Sequence, residues 1–573
     1  MAYTVCTDLP QDRLSPLRFA GLRVTHGLTL DVRDGTTLCL DLLRPDADGV
    51  FPVVLVRTPY DKVVLRELRP GAREGLPYDH QFVHSLVRRG YILAIQDVRG
   101  RFNSDGEWHP YVHEQADGHD TIEWIAGQPW CDGNVGMIGR SYVGYTQWAA
   151  AVTRPAALKA IVPIGAQPDL FASGYPIANG VFNLPMAELT LAMGRRSFQI
   201  RDFMSSVLHE SHDYFGTLPV ADLPRAAGTE PPRWWDEMMR HPSRDEYWLR
   251  GSYRETLEGL ALPALNVSGW YDLTPEGALD NYRILRERGG TPAGRDAQRL
   301  VIGPWAHWAD ISCGRDGIDF GPHAVGGLPG YVTRFFDRWL RGEENGLDDD
   351  PRVHVFAMGA NEWWSAADWP LPGTRYVPFY LDAGGRLSSD PGGGPPDSYR
   401  YDPADPVQGA WSMHNGPIDD RPAAARPDVL CYTSEPLSEP LDVVGPLTAV
   451  LYAASSAPDT DWHLRLVDVH PSGYAQFLAH GVLRARFRTS LEHPTLLEPG
   501  RAERFQLNLA GTANRFLPGH RIRVELTSSW FPRYERNLNT GADNNLLAAT
   551  PAVAEQTVFH DADRASHVLL PLV

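Results

Sequence analysis

Lysine is almost absent from this chain of 573 residues: Lys62 and Lys159 are the whole complement among 53 basic residues, against 71 acidic ones. The arginine preference reads as the codon bias of a GC-rich genome. A formal net charge of −18 opposes binding to a phosphate backbone, which needs clustered Lys and Arg, so no nucleic-acid partner is expected. Cysteine is scarce as well. The five present (Cys6, Cys39, Cys131, Cys313, Cys431) are odd in number, scattered and without a CxxC pair, which indicates neither a disulfide framework nor a zinc site. Long apolar runs are missing, and none approaches the roughly 20 residues that a bilayer span requires. The opening stretch MAYTVCTDLPQDRLSP has no basic n-region followed by an apolar core. A cytoplasmic protein with no membrane partner is the expectation.

What is present is a globular composition, 43% apolar and 22% charged, in a chain long enough for two or three domains. LTLDVRDGTTLCLDLLRP alternates as a hairpin, whereas FPVVLVRTPY and YILAIQDVRG are short continuous apolar runs suited to strands covered on both faces. Helical spacing separates them in QFVHSLVRRG and follows in EQADGHDTIEWIAGQ, before the apolar NVGMIG. Strand alternating with helix predicts an α/β domain with a mostly parallel sheet. Residues near 170–255, rich in Met, Leu, Arg and Trp, interrupt it as an inserted helical cap. Strand-like runs resume in LNVSGWYD and LVIGPWAH, and YVTRFFDRWLRG closes the domain as an amphipathic helix. From about Pro351 onward, short alternating strands between Pro/Gly/Asp turns predict an all-β jelly roll. The expected boundaries are 1–169 and 256–350 for the α/β domain, 170–255 for the cap and 351–573 for the jelly roll.

The segment GMIGRSYVGYTQWAAA, Gly136 to Ala151, places a serine between an apolar strand and a helix, with Gly139 two residues before it and Gly144 three after. At such a turn a serine is forced into a strained backbone with its hydroxyl above the sheet edge. Ser141 is thus the candidate nucleophile, against the alternative of a structural turn serine; Val143 stands where the short elbow motif has glycine. A serine hydroxyl needs a base, oriented in turn by a carboxylate, and on such sheets the order is Ser, then Asp or Glu, then His. Asp272 and His307 each follow an apolar run containing glycine and meet that order. Asp280, deeper in a helix, and His323, in a loop, are the alternatives. Two donors must also face a developing oxyanion. The Tyr142 amide is one by position, and the Tyr60 hydroxyl is the candidate for the other.

RTPYDK, QDVRGRFNSDGEW, PWCDGNVGMIGRSYVGYTQWAAAV, GWYD, GPWAH and LPGHRIRVELTSSWFP together resemble the cocaine esterase family within the X-Pro dipeptidyl-peptidase superfamily. The likeness spans almost the whole chain and is weakest in the cap. It implies an α/β-hydrolase domain, a helical cap and a C-terminal jelly roll, with Ser141, His307 and Asp272 as the triad and Tyr60 plus the Tyr142 amide as the oxyanion hole. It implies no cofactor, a small-molecule ester substrate and a homodimer. At the pocket the sequence departs from the family. Thr274 replaces an aromatic two residues after the acid, Ser412 and Met413 replace an apolar–aromatic pair, and Tyr175 stands for an aromatic wall at the start of the cap. These exchanges predict an acyl preference other than benzoyl.

Two other activities stay open. An amidase or X-Pro aminopeptidase would need a carboxylate for the substrate ammonium, for which Asp169 or Glu188 are candidates. A non-catalytic protein using the jelly roll as a ligand or carbohydrate module is the alternative of another class. HPYVHEQADGHD gathers His109, His113, Glu114, Asp117 and His119, with His109 and His113 four apart as two metal ligands on a helix would be. Pro110 disfavours that helix, and a solvated acidic face is the expectation. Trp363 and Trp364 are expected to pack a domain interface, and Arg99 and Arg101 to anchor a loop.

Overall fold

The computed structural model describes residues 3–63, 80–186, 193, 213–273, 275–307, 318–409 and 416–573. Glu188, Thr274, Cys313, Ser412 and Met413 lie outside the described residues. The first strands are β1 (Tyr3–Cys6), β2 (Leu22–Asp31), β3 (Thr37–Pro45), β4 (Phe51–Thr58), β5 (Ile92–Asp97), β6 (Cys131–Arg140) and β7 (Leu158–Ile164). A short hairpin, β8 (Ile177–Ala178) and β9 (Val181–Phe182), precedes β10 (Leu265–Tyr271), β11 (Arg299–Ala306), β12 (Val353–Ala357) and β13 (Glu362–Ala366).

Eleven of these strands form one sheet in the order β1-β13-β12-β11-β10-β7-β6-β4-β5-β3-β2. The run from β5 to β12 is parallel throughout, and only the two margins are antiparallel. Every residue of β5, β10, β11 and β12 is buried, as expected where helices cover both faces of a parallel sheet. Connections between parallel neighbours run through helices such as His80–Arg88, Tyr142–Ala151, Pro275–Arg288 and Leu328–Arg341. The long excursion between β7 and β10 is the insertion. Its described helices are short, Leu223–Ala226, Arg233–Met238 and Glu246–Gly251, and they are seated by the buried Trp234, Trp235 and Trp248.

The central sheet continues past the boundary expected at residue 350. Val353–Ala357 pairs in parallel with β11, Leu300 opposite Val353 and Ile302 opposite Val355, and β13 turns back beside it. The helix Leu328–Arg341 supplies the crossover that a parallel partner requires. The apparent alternation in this strand comes from His354, which is buried and accepted into the sheet by a 2.7 Å bond between its Nδ1 and the Ser365 hydroxyl. Burial lowers that imidazole to about 3, so it stays neutral and behaves as a core residue.

Beyond Ala366 the chain is all-β, and among its described residues the one α-helix is the four-residue Arg421–Ala424. Its longest strands, Leu441–Ser455 and Glu503–Phe516, pair antiparallel with a register shift between Pro446 and Thr448. The two bodies share backbone hydrogen bonds, Met358 N–H to Ala513 and Arg515 N–H to Met358. Trp364 is stacked on Tyr3 at 3.9 Å and lies 5.4 Å from the Arg515 guanidinium of the C-terminal domain, while Trp363 is buried with its indole N–H on the His323 carbonyl. Trp364 thus packs at the interface, and Trp363 packs within the α/β domain, against Trp305 and Phe356.

Candidate active site

The end of β6 and the start of the next helix leave one residue, Ser141, to make the turn, and it does so at φ 61° and ψ −128°. Such a backbone is costly for any residue with a Cβ, by about 1–3 kcal/mol, and is held here by its surroundings. The Ser141 N–H donates to the Ile164 carbonyl at 2.9 Å, and its own carbonyl accepts from Gly144 and Tyr145. A Cβ on Gly139 would lie 2.1 Å from Val143 Cγ1, and one on Gly144 would lie 2.8 Å from the Ile164 carbonyl oxygen. Gly139 therefore makes room for Val143, the residue that departs from the short elbow motif. Ser141 itself is half-buried, with the helix behind it wholly buried.

Asp272 and His307 sit just beyond the ends of the adjacent strands β10 and β11. His307 Nδ1 lies 2.6 Å from Asp272 Oδ1, and both side chains are buried. The same carboxylate accepts from the Leu273 N–H at 2.6 Å and from the Ser268 hydroxyl at 3.0 Å. Burial by itself would raise the Asp272 carboxyl, but His307, Arg140 and Ser268 overcome that and hold it below its ordinary value. The alternatives are committed elsewhere: Asp280 to Arg254 and Arg283, and His323 to Asp8 at 3.7 Å.

Just past the end of β4 the Tyr60 hydroxyl lies near the side chain of Ser141 and the backbone N–H of Tyr142. Burial raises this phenol above its ordinary value, with Ser141, the Tyr142 N–H and Arg101 opposing, so it is held as a neutral donor. Tyr60 is thus brought from a separate segment to the neighbourhood of Ser141 and the Tyr142 amide.

A supporting network went unread in the sequence. The Tyr142 hydroxyl donates to Glu114 Oε1 at 2.9 Å and accepts from the Tyr111 N–H at 2.9 Å. Glu114 is in turn ion-paired with Arg57 at 3.0 Å, and Arg57 Nε donates to Gln96. Both charges are buried. Burial pushes the Glu114 carboxyl up, against the pull of Arg57. The side chain that follows the candidate nucleophile is therefore fixed by an internal ion pair, and its amide with it. No local sequence signal marks this role, because Glu114 and Arg57 lie on different elements.

The remaining candidates separate. His109 faces Glu237 at 3.1 Å, His119 faces the Thr153 hydroxyl, Glu114 faces Arg57 and Asp117 faces Arg99, so the histidine–acid stretch does not converge. Its helix starts only at Glu114. Arg99 ties Asp117 to Asp34 and Thr36 at the hairpin tip, and Arg101 donates to the carbonyls of Pro59 and Met193, both as loop anchors. Asp169 is buried, caps the Phe171 and Ala172 N–H groups and pairs with Arg244 at 2.8 Å. Tyr175 is half-buried in the insertion, its carbonyl accepting from Gln167. The described cysteines are free thiols.

Glu276 lies four residues past Asp272, where the α/β domain, the insertion and the C-terminal domain meet. It lines a small cavity of about 60 Å³ with Asp272, Arg533 and Tyr534, and a wider cleft of about 690 Å³ with Asp169, Arg244 and Asp280. Burial raises its carboxyl to about 7, with Asp280 and Asp272 adding to the shift and Arg533 opposing it. A folded value above the unfolded one means that ionisation costs the folded state, and that cost grows as pH rises from about 4.5 to 7. Glu276→Gln is expected to raise the Tm at pH 8 and to change it little at pH 5, measured by differential scanning calorimetry; equal shifts at both values would contradict the assignment.

Residues 34–309 match the X-Pro dipeptidyl-peptidase (S15 family) model, and residues 345–569 match the X-Pro dipeptidyl-peptidase C-terminal non-catalytic domain. The chain is 39% identical to cocaine esterase from Rhodococcus sp. (strain MB1 Bresler), over 96% of this chain and 98% of that one. It superposes on an α-amino acid ester hydrolase with a TM-score of 0.84 at 26% identity, covering 99% of this chain and 100% of that one. An aminopeptidase from a marine sediment archaeon, Thaumarchaeota archaeon, gives a TM-score of 0.83 at 28% identity, with 99% of each chain covered. Among the described residues no helix is long and apolar enough to cross a membrane. An α/β sheet with a serine elbow, an all-β C-terminal domain and near full-length identity to an esterase place this chain in the cocaine esterase branch of the X-Pro dipeptidyl-peptidase family, among the serine hydrolases.

Proposed function

We propose that the chain hydrolyses a small-molecule carboxylic ester through an acyl-enzyme on Ser141. The observation that carries this is the pairing of a buried His307–Asp272 contact of 2.6 Å with a Tyr60 hydroxyl placed near Ser141 and the Tyr142 amide. With its Nδ1 on Asp272, His307 presents Nε2 as the base. Ser141 Oγ attacks the carbonyl carbon while its proton passes to His307; collapse expels the alcohol, which takes that proton. A water then attacks the acyl-enzyme with His307 again as base, releasing the acid and restoring the Ser141 hydroxyl. The Tyr60 hydroxyl and the Tyr142 N–H stabilise the oxyanion in both steps. The sequence exchanges at positions 274, 412 and 413 favour an acyl group other than benzoyl.

An ester is favoured over an X-Pro amide because Asp169, a candidate for holding a substrate ammonium, is already engaged by Arg244 and two backbone amides. A fluorophosphonate probe is expected to label the wild-type chain and not Ser141→Ala; labelling that persists in the variant would overturn the assignment of the nucleophile. Tyr60→Phe is expected to lower kcat by about 10²–10³ with little change in KM, because an oxyanion donor acts on the transition state. Steady-state kinetics on a chromogenic short-chain ester checks this, and an effect confined to KM would contradict it.

A further inference from the structure

At one end of the C-terminal sheet two histidines and an aspartate come together. The strand Asp461–Val469 pairs antiparallel with Arg521–Thr527, Asp468 opposite Ile522 and Val469 opposite Arg521. Continuing that register sets His470 against His520, and Asp468, two residues before His470, projects from the same face. One nitrogen of each imidazole and one oxygen of the carboxylate all lie within 4.8 Å of one another, and the two rings are 4.4 Å apart. Asp468 and His520 are buried, and His470 is half-buried at the strand end, which leaves one side for entry.

The hydrogen bonds decide which nitrogens are available. His520 Nδ1 faces Asp468 Oδ1 at 2.8 Å, so it carries the proton and leaves a lone pair on Nε2. His470 Nε2 faces Gln476 Oε1 at 3.1 Å. Gln476 Nε2 donates to the Tyr271 hydroxyl at 2.9 Å, and in this arrangement its Oε1 accepts from a protonated His470 Nε2, which leaves the lone pair on Nδ1. Metal-bound histidines show this outer arrangement, with the distal N–H given to a carboxylate or an amide oxygen, which sets the tautomer. Asp468 is held on its other oxygen by Asn514 at 3.1 Å.

We infer that Asp468, His470 and His520 form a binding site for one divalent transition-metal ion of the Zn²⁺ or Co²⁺ type. The two imidazole lone pairs are the ligands, and the Asp468 carboxylate offsets the charge. Bonds to Zn²⁺ of about 2.0–2.1 Å require the donors to approach more closely than 4.8 Å, and the half-buried ring of His470 is the one placed to move. Imidazole donors select such ions over Mg²⁺ and Ca²⁺, which favour all-oxygen sites.

The test is isothermal titration of the full-length chain, without an affinity tag and treated with a chelator, using Zn²⁺ and Co²⁺ in turn. One equivalent per chain is expected. His470→Ala and His520→Ala should each weaken it at least tenfold, and Gln476→Leu, which releases the tautomer of His470, should weaken it as well. A thermal melt checks folding; should the buried His520 variant fail to fold, His470→Ala at the strand end decides. Absence of saturable binding to the wild type, unchanged affinity in folded His470→Ala, or displacement of the ion by equimolar Mg²⁺ would overturn the site.

Discussion

Ser141→Ala is expected to reduce ester turnover by roughly 10⁶-fold, the scale seen when a serine nucleophile alone is removed, because the remaining oxyanion donors have no covalent intermediate to stabilise. The fold should survive, since the hydroxyl does not hold the turn: the backbone contacts of Ser141 to Ile164, Gly144 and Tyr145 do. Alanine keeps a Cβ at φ 61°, so it relieves none of the backbone cost. Ser141→Gly is expected to be equally inactive yet more stable than the alanine variant by about 1 kcal/mol, because glycine accepts positive φ without a steric penalty. Urea unfolding with burst-free kinetic assays of both variants checks the two statements together. Comparable stability of the pair would mean that the strain assigned to this turn is not there, and residual turnover within tenfold of wild type would mean that the nucleophile lies elsewhere.

The second large effect is on stability. Glu114→Ala removes one member of a buried ion pair and leaves the Arg57 guanidinium without its 3.0 Å partner. Breaking such a pair from one side costs about 3–5 kcal/mol, since the surviving charge stays desolvated. Arg57 keeps its bonds to Gln96 and to the carbonyl of residue 114, which satisfy N–H groups without supplying charge. Glu114→Ala combined with Arg57→Leu should recover a large part of the loss, as a double-mutant cycle in chemical denaturation would show. Loss of the Tyr142 anchor adds a kinetic signature: at temperatures where Glu114→Ala is still folded, kcat should fall while KM holds. A Glu114→Ala variant as stable as wild type would show that the pair is not the support described.

Much of the α/β domain was legible because its strands are short apolar runs punctuated by glycine, a pattern that a two-sided burial imposes on the text. The strand-end positions of Ser141, Asp272 and His307 were legible for a related reason: each stands at the end of such a run. The position of Tyr60 was legible, but its partners were not, since a hydroxyl reaching Ser141 depends on how β4 and β6 lie side by side. The extent of the sheet was misjudged at Val353–Ala357, where a buried neutral His354 imitates the polar position of a half-exposed strand. Glu114 read as part of a histidine–acid cluster because neighbours in sequence were taken together; three-dimensional packing assigns each member to a different element. Long-range pairs of charges, such as Arg57 with Glu114, leave no periodic trace in one sequence.

Gln476 and Arg533 belong to the β-rich half, yet one donates to the Tyr271 hydroxyl and the other to the Leu273 carbonyl, at 2.9 and 3.3 Å, on either side of Asp272. The residues on either side of the acid of the proposed triad are thus held from a domain that supplies none of the three proposed triad members. An engineer seeking a minimal hydrolase by trimming everything after Ala366 would be removing the vice that grips the residues flanking that acid, and shortening this enzyme is better begun from the insertion.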